Sequence, residues 1–315
     1  MKITCVATDP VIEKYLQPLK EIGKLKVYKK ENLNQLEAIE LVKDTEILVT
    51  GPESIGALTE EILKQLTNLK YIALLTIGYN WVDVDYANKI KLPISNIKGA
   101  TAESVAEHIW SMILDLSKRV NEFDREARFK SAYNFSFYKG HEVYGKTLGV
   151  LGLGDIGLKV ARIARAFDLK VLGLNKSGKT YEGINLVDKN TLFKESDIIA
   201  VCLPLNSDTE NFIDKEEIFL MKQGVIIVNC ARETIVNKEA VIEGLKNKKI
   251  FGYGIETAIL KPVDKNDDYY KFPNVIVTPH NAFNTVEGDQ RSYEMVISNI
   301  KSFIKGKPQN LITHH

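Results

Sequence analysis

Val150-Leu151-Gly152-Leu153-Gly154-Asp155-Ile156-Gly157 is a short apolar run that ends in GxGxxG and passes straight into a helical pattern, Leu158 to Phe167. Residues of these types at this spacing hold phosphate. Gly152 permits the tight turn, Gly154 lets the backbone approach a pyrophosphate with no Cβ in the way, and Gly157 lets helix and strand pack closely. The helix adds its unpaired N–H groups and positive dipole end, with Asp155 and Ile156 in the first turn. Glycine turns also arise wherever a backbone needs positive φ, so the flanks must decide. Thr147 to Leu151 reads as a buried parallel strand, Lys159 to Phe167 as an amphipathic helix and Lys170 to Leu174 as the next strand. That βαβ setting predicts a dinucleotide site.

The elements around the loop alternate in the same way. Lys2 to Thr8, Lys24 to Tyr28, Glu46 to Thr50, Tyr71 to Leu75 and Pro93 to Ile97 have strand character; Pro10 to Ile22, Leu33 to Lys43, Thr59 to Leu66 and Val84 to Lys89 read as helices. A long helix, Ala102 to Arg119, and an irregular aromatic-rich stretch, Phe123 to Tyr144, precede the glycine loop. Beyond it come strands at Ile198 to Leu203, Gly224 to Cys230, Ile250 to Ile255 and Val275 to Thr278, and a final helix from Val286 to Ile304. The expected fold class is α/β, with two interleaved doubly wound parallel sheets: a Rossmann dinucleotide-binding domain, residues 98–289, inserted in a flavodoxin-like substrate domain, residues 1–97 and 290–315. A cleft between them is the expected ligand site.

Composition narrows the partners. In 315 residues, 42 Lys and Arg stand against 41 Asp and Glu, so no global field favours nucleic acid or an anionic membrane, and a small metabolite is expected. Cys5, Cys202 and Cys230 are widely separated in apolar runs, which points to buried thiols in a reducing compartment rather than a disulfide framework or metal site. No stretch has the length of a membrane span and Met1 to Ala7 is too short for a signal peptide, so a cytoplasmic location is expected. His314 and His315 have the character of a tag remnant and are set aside.

Several further segments carry a resemblance. Ser104-Val105-Ala106-Glu107-His108, Gly145-Lys146-Thr147-Leu148-Gly149, Leu203-Pro204 with Thr209, Asn229-Cys230-Ala231-Arg232 and Thr278-Pro279-His280 follow one another in the order and spacing of the D-isomer-specific 2-hydroxyacid dehydrogenases, and the likeness extends over most of the chain. The resemblance implies hydride transfer between a nicotinamide cofactor and a small 2-oxo or 2-hydroxy acid. It also implies a homodimer formed through the cofactor domain, with the Phe123 to Tyr144 arm on the partner. Val105, Leu203, Pro204, Thr209, Cys230, Ala231, Arg232, Glu256 and His280 fall at cofactor positions by the same likeness, and the backbone of Thr76-Ile77-Gly78 at the substrate carboxylate.

Reducing a 2-oxo acid needs a cation to hold the carboxylate and polarise the ketone, and a proton donor for the developing alkoxide. Arg232 follows an apolar strand at its carboxyl end, where its planar fork suits both oxygens. His280 also ends a strand, behind Pro279, and an imidazole can deliver a proton near neutral pH. His108, within a helix, and His141, in a loop, are assigned to neither task.

The chain departs from the family pattern in four places. Lys261, before Pro262, stands where a glutamate usually supports the catalytic histidine; Glu233 replaces a glycine, Glu256 an aspartate at the nicotinamide end, and Asn175 the acidic ribose residue. A lysine cannot accept the imidazole N–H and its charge disfavours imidazolium. Two readings stay open for a working enzyme: another carboxylate (Glu256, Asp264 or Glu233) supports His280, or Lys261 binds a second anionic group on the substrate. A non-catalytic nucleotide-sensing or corepressor-like protein of the same fold is the alternative. At the end of the second strand, Asn175 removes the repulsion of a 2′-phosphate while Lys176 and Ser177 can bond it, so NADP(H) is favoured over NAD(H).

Overall fold

The computed structural model describes residues 1–9, 12–31, 33–129, 139–256 and 266–314. In chain order the strands are β1 (Lys2–Ala7), β2 (Lys24–Lys29), β3 (Ile47–Thr50), β4 (Tyr71–Leu74), β5 (Ile94–Ser95), β6 (Thr147–Leu151), β7 (Lys170–Leu174), β8 (Asn185–Leu186), β9 (Ile198–Val201), β10 (Val225–Asn229), β11 (Ile250–Glu256) and β12 (Val275–Thr278). The α-helices are α1 (Ile12–Leu16), α2 (Gln35–Val42), α3 (Pro52–Ile55), α4 (Glu60–Gln65), α5 (Val84–Lys89), α6 (Ala102–Lys118), α7 (Val120–Phe129), α8 (Asp155–Ala166), α9 (Lys189–Glu195), α10 (Lys215–Leu220), α11 (Lys238–Lys246) and α12 (Val286–Ile304). They fall into two compact units, Met1–Thr101 with Val286–His315, and Ala102–Thr285.

In the first unit five parallel strands lie in the order β2-β1-β3-β4-β5, the flavodoxin-like winding. Both faces of this sheet are covered, and strand residues serve them alternately. Val6, Leu48, Ile72 and Ile94 pack under α2 and α4, while Cys5, Val49, Tyr71 and Ala73 pack under α1 and α12. The ring of Phe303 stacks on Tyr71 at 4.4 Å. The unit boundaries lie at Thr101 and Val286 rather than at residues 97 and 290, because Ile97 and Ala100 still bury in this core and Arg291 Nε donates to the Ala100 carbonyl at 2.8 Å.

The second unit holds seven parallel strands in the order β12-β11-β10-β9-β6-β7-β8, a Rossmann winding whose strand order reverses between β6 and β9. α6 and α8 cover one face over Leu148, Val150, Ala200 and Val228; α9, α10 and α11 cover the other over Leu151, Val201, Ile227 and Ile255. Cys5, Cys202 and Cys230 are free thiols, and burial pushes that of Cys5 up to about 12. Among the described residues no helix is long and apolar enough to cross a membrane.

Two sequence expectations need correction. The segment read as one helix from Pro10 to Ile22 is α1 followed by a 3-10 turn, Gln17–Glu21, because Pro18 has no N–H to continue the α ladder. The stretch read as irregular from Phe123 begins as helix: α7 runs to Phe129, although none of its residues is buried. Residues 130–138 of that stretch lie outside the described residues.

Candidate active site

The glycine loop connects β6 to α8. Gly152 has a φ of 94°, which favours glycine, and a Cβ there would stand 2.7 Å from the Cys202 carbonyl oxygen. A Cβ on Gly157 would come within 2.0 Å of the Gly152 carbonyl oxygen, so helix and loop touch backbone to backbone. At Gly154 a Cβ would meet nothing within 4 Å. The α8 N-cap is Gly154 itself, with no side chain to cap the first-turn N–H groups. A bare helix N-terminus beside open space fits a pyrophosphate.

The contrast predicts opposite failures. Gly157→Ala drives α8 off β6 and lowers the melting temperature, by about 1–3 kcal/mol of stability. Gly154→Val leaves the melt unchanged and weakens binding of reduced dinucleotide at least about tenfold, which fluorescence titration will read. Equal dinucleotide affinity in Gly154→Val and wild type would remove the phosphate site from this loop.

Cross-strand pairing sets Leu174, Leu151, Val201, Asn229, Ile255 and Val277 side by side near the carboxyl edge of the sheet, with Glu256 and Thr278 paired one residue further on. Among the described candidates of this unit, the glycine loop, Asn175 to Ser177, Leu203-Pro204, Cys230 to Arg232, Glu256 and His280 lie at or just past these strand ends. After β7, Asn175 uses its amide on its own loop: Nδ2 donates to the Lys179 carbonyl at 3.0 Å and Oδ1 accepts from Gly178 N–H at 2.9 Å. Ser177 Oγ accepts from Lys179 N–H at 3.3 Å. Lys176 Nζ pairs at 2.6 Å with Asp208, in the loop after β9, and its ammonium holds the Asp208 carboxyl below the usual range. The same loop carries Leu203 and Pro204 and is closed by Thr209, whose hydroxyl donates to the Pro204 carbonyl at 2.6 Å and accepts from Asn206 N–H at 2.8 Å. Thr209 therefore shapes the loop. Val105 is 7% exposed in the core face of α6 and packs.

After β10, Asn229 is fully buried and grips the turn that presents Arg232. Its Nδ2 donates to the Arg232 carbonyl at 2.9 Å and its Oδ1 accepts from Ala231 N–H at 3.1 Å. Asn229 has no assigned role among the candidates read from sequence, although an Asn closing an apolar strand is a signal for such a turn. Beside it, Cys230 Sγ lies 4.0 Å from Met112 Sδ. The Arg232 guanidinium donates to the Ala231 carbonyl at 2.7 Å and forms no ion pair with any described residue. Burial pulls its pKa below the ordinary value. A partly buried cation that no described anion neutralises can take an anionic ligand.

After β12, His280 has a φ of 52° and donates its backbone N–H to the Thr278 carbonyl at 3.0 Å. A non-glycine residue in that region is uncommon and marks a turn held by its surroundings. The ring lies 5.8 Å from that of Phe283. Glu256, 4% exposed, closes β11. Lys261 and Asp264, on which the departure from the family pattern turned, lie outside the described residues.

In the first unit, Thr76-Ile77-Gly78 follows β4 with its carbonyls near fixed partners. Thr76 Oγ1 donates to the Gly78 carbonyl at 2.8 Å, as does Trp81 Nε1 at 3.1 Å, and Asn96 Nδ2 donates to the Ile77 carbonyl at 2.7 Å. Ile97 N–H reaches the Thr76 carbonyl at 3.5 Å. None of the three backbone N–H groups has an acceptor among the described residues. Three consecutive N–H groups on a pinned loop are thus left for an acceptor other than the described residues.

Residues 110–282 match the model of the D-isomer specific 2-hydroxyacid dehydrogenase NAD binding domain. A glyoxylate reductase of Korarchaeum cryptofilum is 31% identical over 324 residues, covering 99% of this chain and 96% of that protein. Among solved structures, an acyclic imino acid reductase in complex with NADPH and D-Arg superposes with a TM-score of 0.90 at 29% identity, covering 99% of this chain and 100% of that one. A D-lactate dehydrogenase of Aquifex aeolicus, complexed with NAD and lactic acid, superposes with a TM-score of 0.84 at 28% identity over 100% of both chains. With the glycine loop, Arg232 and His280 at their strand ends, and with the family model spanning more than half of its length, this chain belongs to the D-isomer specific 2-hydroxyacid dehydrogenases, a family of nicotinamide-dependent oxidoreductases.

Proposed function

We propose that the chain reduces a small 2-oxo acid to the D-2-hydroxy acid, with Arg232 binding the acid and His280 supplying the proton. The observation that carries this reading is the Arg232 guanidinium, partly buried at a sheet's carboxyl edge, on a turn that Asn229 holds by its backbone, and without a described anion. Its fork grips the carboxylate and ketone oxygens together, and its charge stabilises the negative charge that grows on the ketone oxygen. The nicotinamide, when bound, supplies the hydride. His280 Nε2–H or Nδ1–H then passes its proton to the alkoxide. Gly152 to Gly157 hold the pyrophosphate, Asn175 to Ser177 and Leu203-Pro204 the adenosine side, and Cys230, Ala231 and Glu256 the nicotinamide side.

The reading is tested with glyoxylate, pyruvate and hydroxypyruvate, each offered with NADH or NADPH, with and without an amine donor, since a structural neighbour is an imino acid reductase. Oxidation of the dinucleotide by at least one 2-oxo acid is expected. Tight dinucleotide binding with no oxidation across the panel would return the nucleotide-sensing reading. A homodimer through the cofactor unit is part of the proposal: α7 buries none of its residues within the chain, and Phe129 at its end is 84% exposed. So is a cytoplasmic location, in keeping with free thiols.

On cofactor choice we propose that NADPH is accepted and favoured, because no acid stands at Asn175 and Lys176 lies beside it. Asp208 opposes this, since its carboxylate already holds the Lys176 ammonium and would face a 2′-phosphate. Both side chains are largely exposed, so the effect is small. Asp208→Asn is expected to raise the ratio of kcat/KM for NADPH over NADH by about 3- to 10-fold. Cofactor kinetics at two salt concentrations check it: the gain shrinks at high salt, and an unchanged ratio at low salt removes Asp208 from cofactor selection.

A further inference from the structure

His280 sits in the middle of a turn whose two flanks are tied to one buried carboxylate. Thr278, two residues before it, donates its hydroxyl to Glu256 Oε1, and Ala282, two residues after it, donates its N–H to Glu256 Oε2 at 3.1 Å. A single side chain from outside this region completes the set: His108, on α6, places Nε2 3.3 Å from Glu256 Oε1 and 3.1 Å from Thr278 Oγ1. The Thr278 proton is committed to the carboxylate, and a carboxylate has no proton to give. Both contacts of His108 therefore require a proton on Nε2. Burial alone would push the Glu256 carboxyl up, but the bonds from His108, Thr278 and Ala282 outweigh it and hold the group below its ordinary value. Such a carboxylate is costly to bury with any donor missing.

We propose that His108 is a positioning residue for the reaction: through Glu256 it fixes the Thr278–Ala282 turn and so the direction in which the His280 ring is presented. The proposal rests on the reading that His280 supplies the proton. It assigns the long crossover helix a task beyond packing, since α6 otherwise meets the sheet through Val105, Ile109, Met112 and Ile113. It also locates support for His280 in its backbone, whichever group meets its ring. A turn at a φ of 52° that loses one anchor can relax, and a misplacement of about 1 Å costs about 100-fold in rate.

The test compares His108→Leu, which has no donor, with His108→Gln, whose amide N–H can reach the same acceptors, and with Thr278→Val, which cuts the clamp from the turn side. His108→Leu is expected to lower kcat for the 2-oxo acid about 10- to 100-fold, with KM for the dinucleotide changed less than about threefold, and His108→Gln to recover most of the loss. Amide hydrogen exchange over residues 278–284 is expected to rise in His108→Leu and Thr278→Val and to return in His108→Gln. Unchanged kcat in His108→Leu would overturn the proposal, as would equal loss in Leu and Gln variants that both remain folded. If His108→Leu does not fold, Thr278→Val decides on the same criteria. If the wild type oxidises no dinucleotide with any 2-oxo acid, the proposed reaction has failed on its own; the exchange arm then decides the clamp, and unchanged exchange in both donor-deleting variants overturns it.

Discussion

Arg232→Gln is expected to lower kcat/KM for the 2-oxo acid by about 10³-fold, a loss of about 4 kcal/mol of transition-state stabilisation. The size follows from what the guanidinium faces. It stands partly buried, with one N–H on the Ala231 carbonyl and no carboxylate of a described residue to neutralise it. A substrate carboxylate arriving there meets a cation already partly desolvated by the fold, so part of the hydration cost of the ion pair is met before binding. As hydride is transferred, charge grows on the ketone oxygen under the same fork, and the interaction strengthens in the transition state. Gln keeps some hydrogen bonding and loses all of the charge. Arg232→Lys keeps the charge and loses the two-pronged geometry, and is expected to recover about tenfold of the loss. Steady-state kinetics with varied 2-oxo acid, together with a separate fluorescence titration of the dinucleotide, separate the effects: the acid's constants move and dinucleotide affinity changes far less. Wild-type kcat/KM in Arg232→Gln would leave this residue without a role in the reaction.

Periodicity in the sequence is enough for the longer strands of both sheets. β6, β7, β12 and α12 lie where the alternation of apolar runs and helical patterns put them, because strands buried on both faces must be continuously apolar and long helices must carry a regular stripe. What escaped had no stripe of that length. α7 buries none of its residues, and its apolar stripe of Val120, Phe123 and Ala127 is too short to stand out from the irregular sequence that follows. α3 is four residues long and β8 two, below the length at which a period can be counted. α1 gave way to a 3-10 turn at Pro18, a covalent constraint visible in the sequence but outweighed there by an apolar pattern that continues through Ile22.

The site divides in the same manner. That Arg232, Glu256 and His280 would end adjacent strands follows from each closing an apolar run, and parallel strands deliver such ends to one edge. Their partners did not follow. His108 meets Glu256 and Thr278 across more than a hundred residues of chain, and Lys176 meets Asp208 across 32. Contacts at those separations depend on how far each helix slides along the sheet, which no local pattern records. The expectation for Lys176 suffered most. A lysine beside Asn175 had charge to offer a phosphate, and the fold places an aspartate against it.

His280→Asn is expected to lower kcat in the reductive direction by about 10²- to 10⁴-fold while KM for the 2-oxo acid changes much less. The division follows from the timing of the two groups. Arg232 meets charge that the acid carries from the start, whereas a proton donor is needed only once the ketone oxygen has become basic. Asparagine can still donate a hydrogen bond but cannot release a proton, so orientation survives and transfer does not. The sign of the pH effect separates this from a merely structural loss. A donor must be protonated to act, so reduction by the wild type falls as pH rises and imidazolium is lost, and oxidation of the hydroxy acid, which needs the neutral base, rises over the same interval. Both slopes should vanish in His280→Asn, leaving a low rate indifferent to pH. A variant that keeps the wild-type slopes at reduced amplitude would mean that another group carries the proton, and the positively twisted backbone of His280 would then need a different explanation.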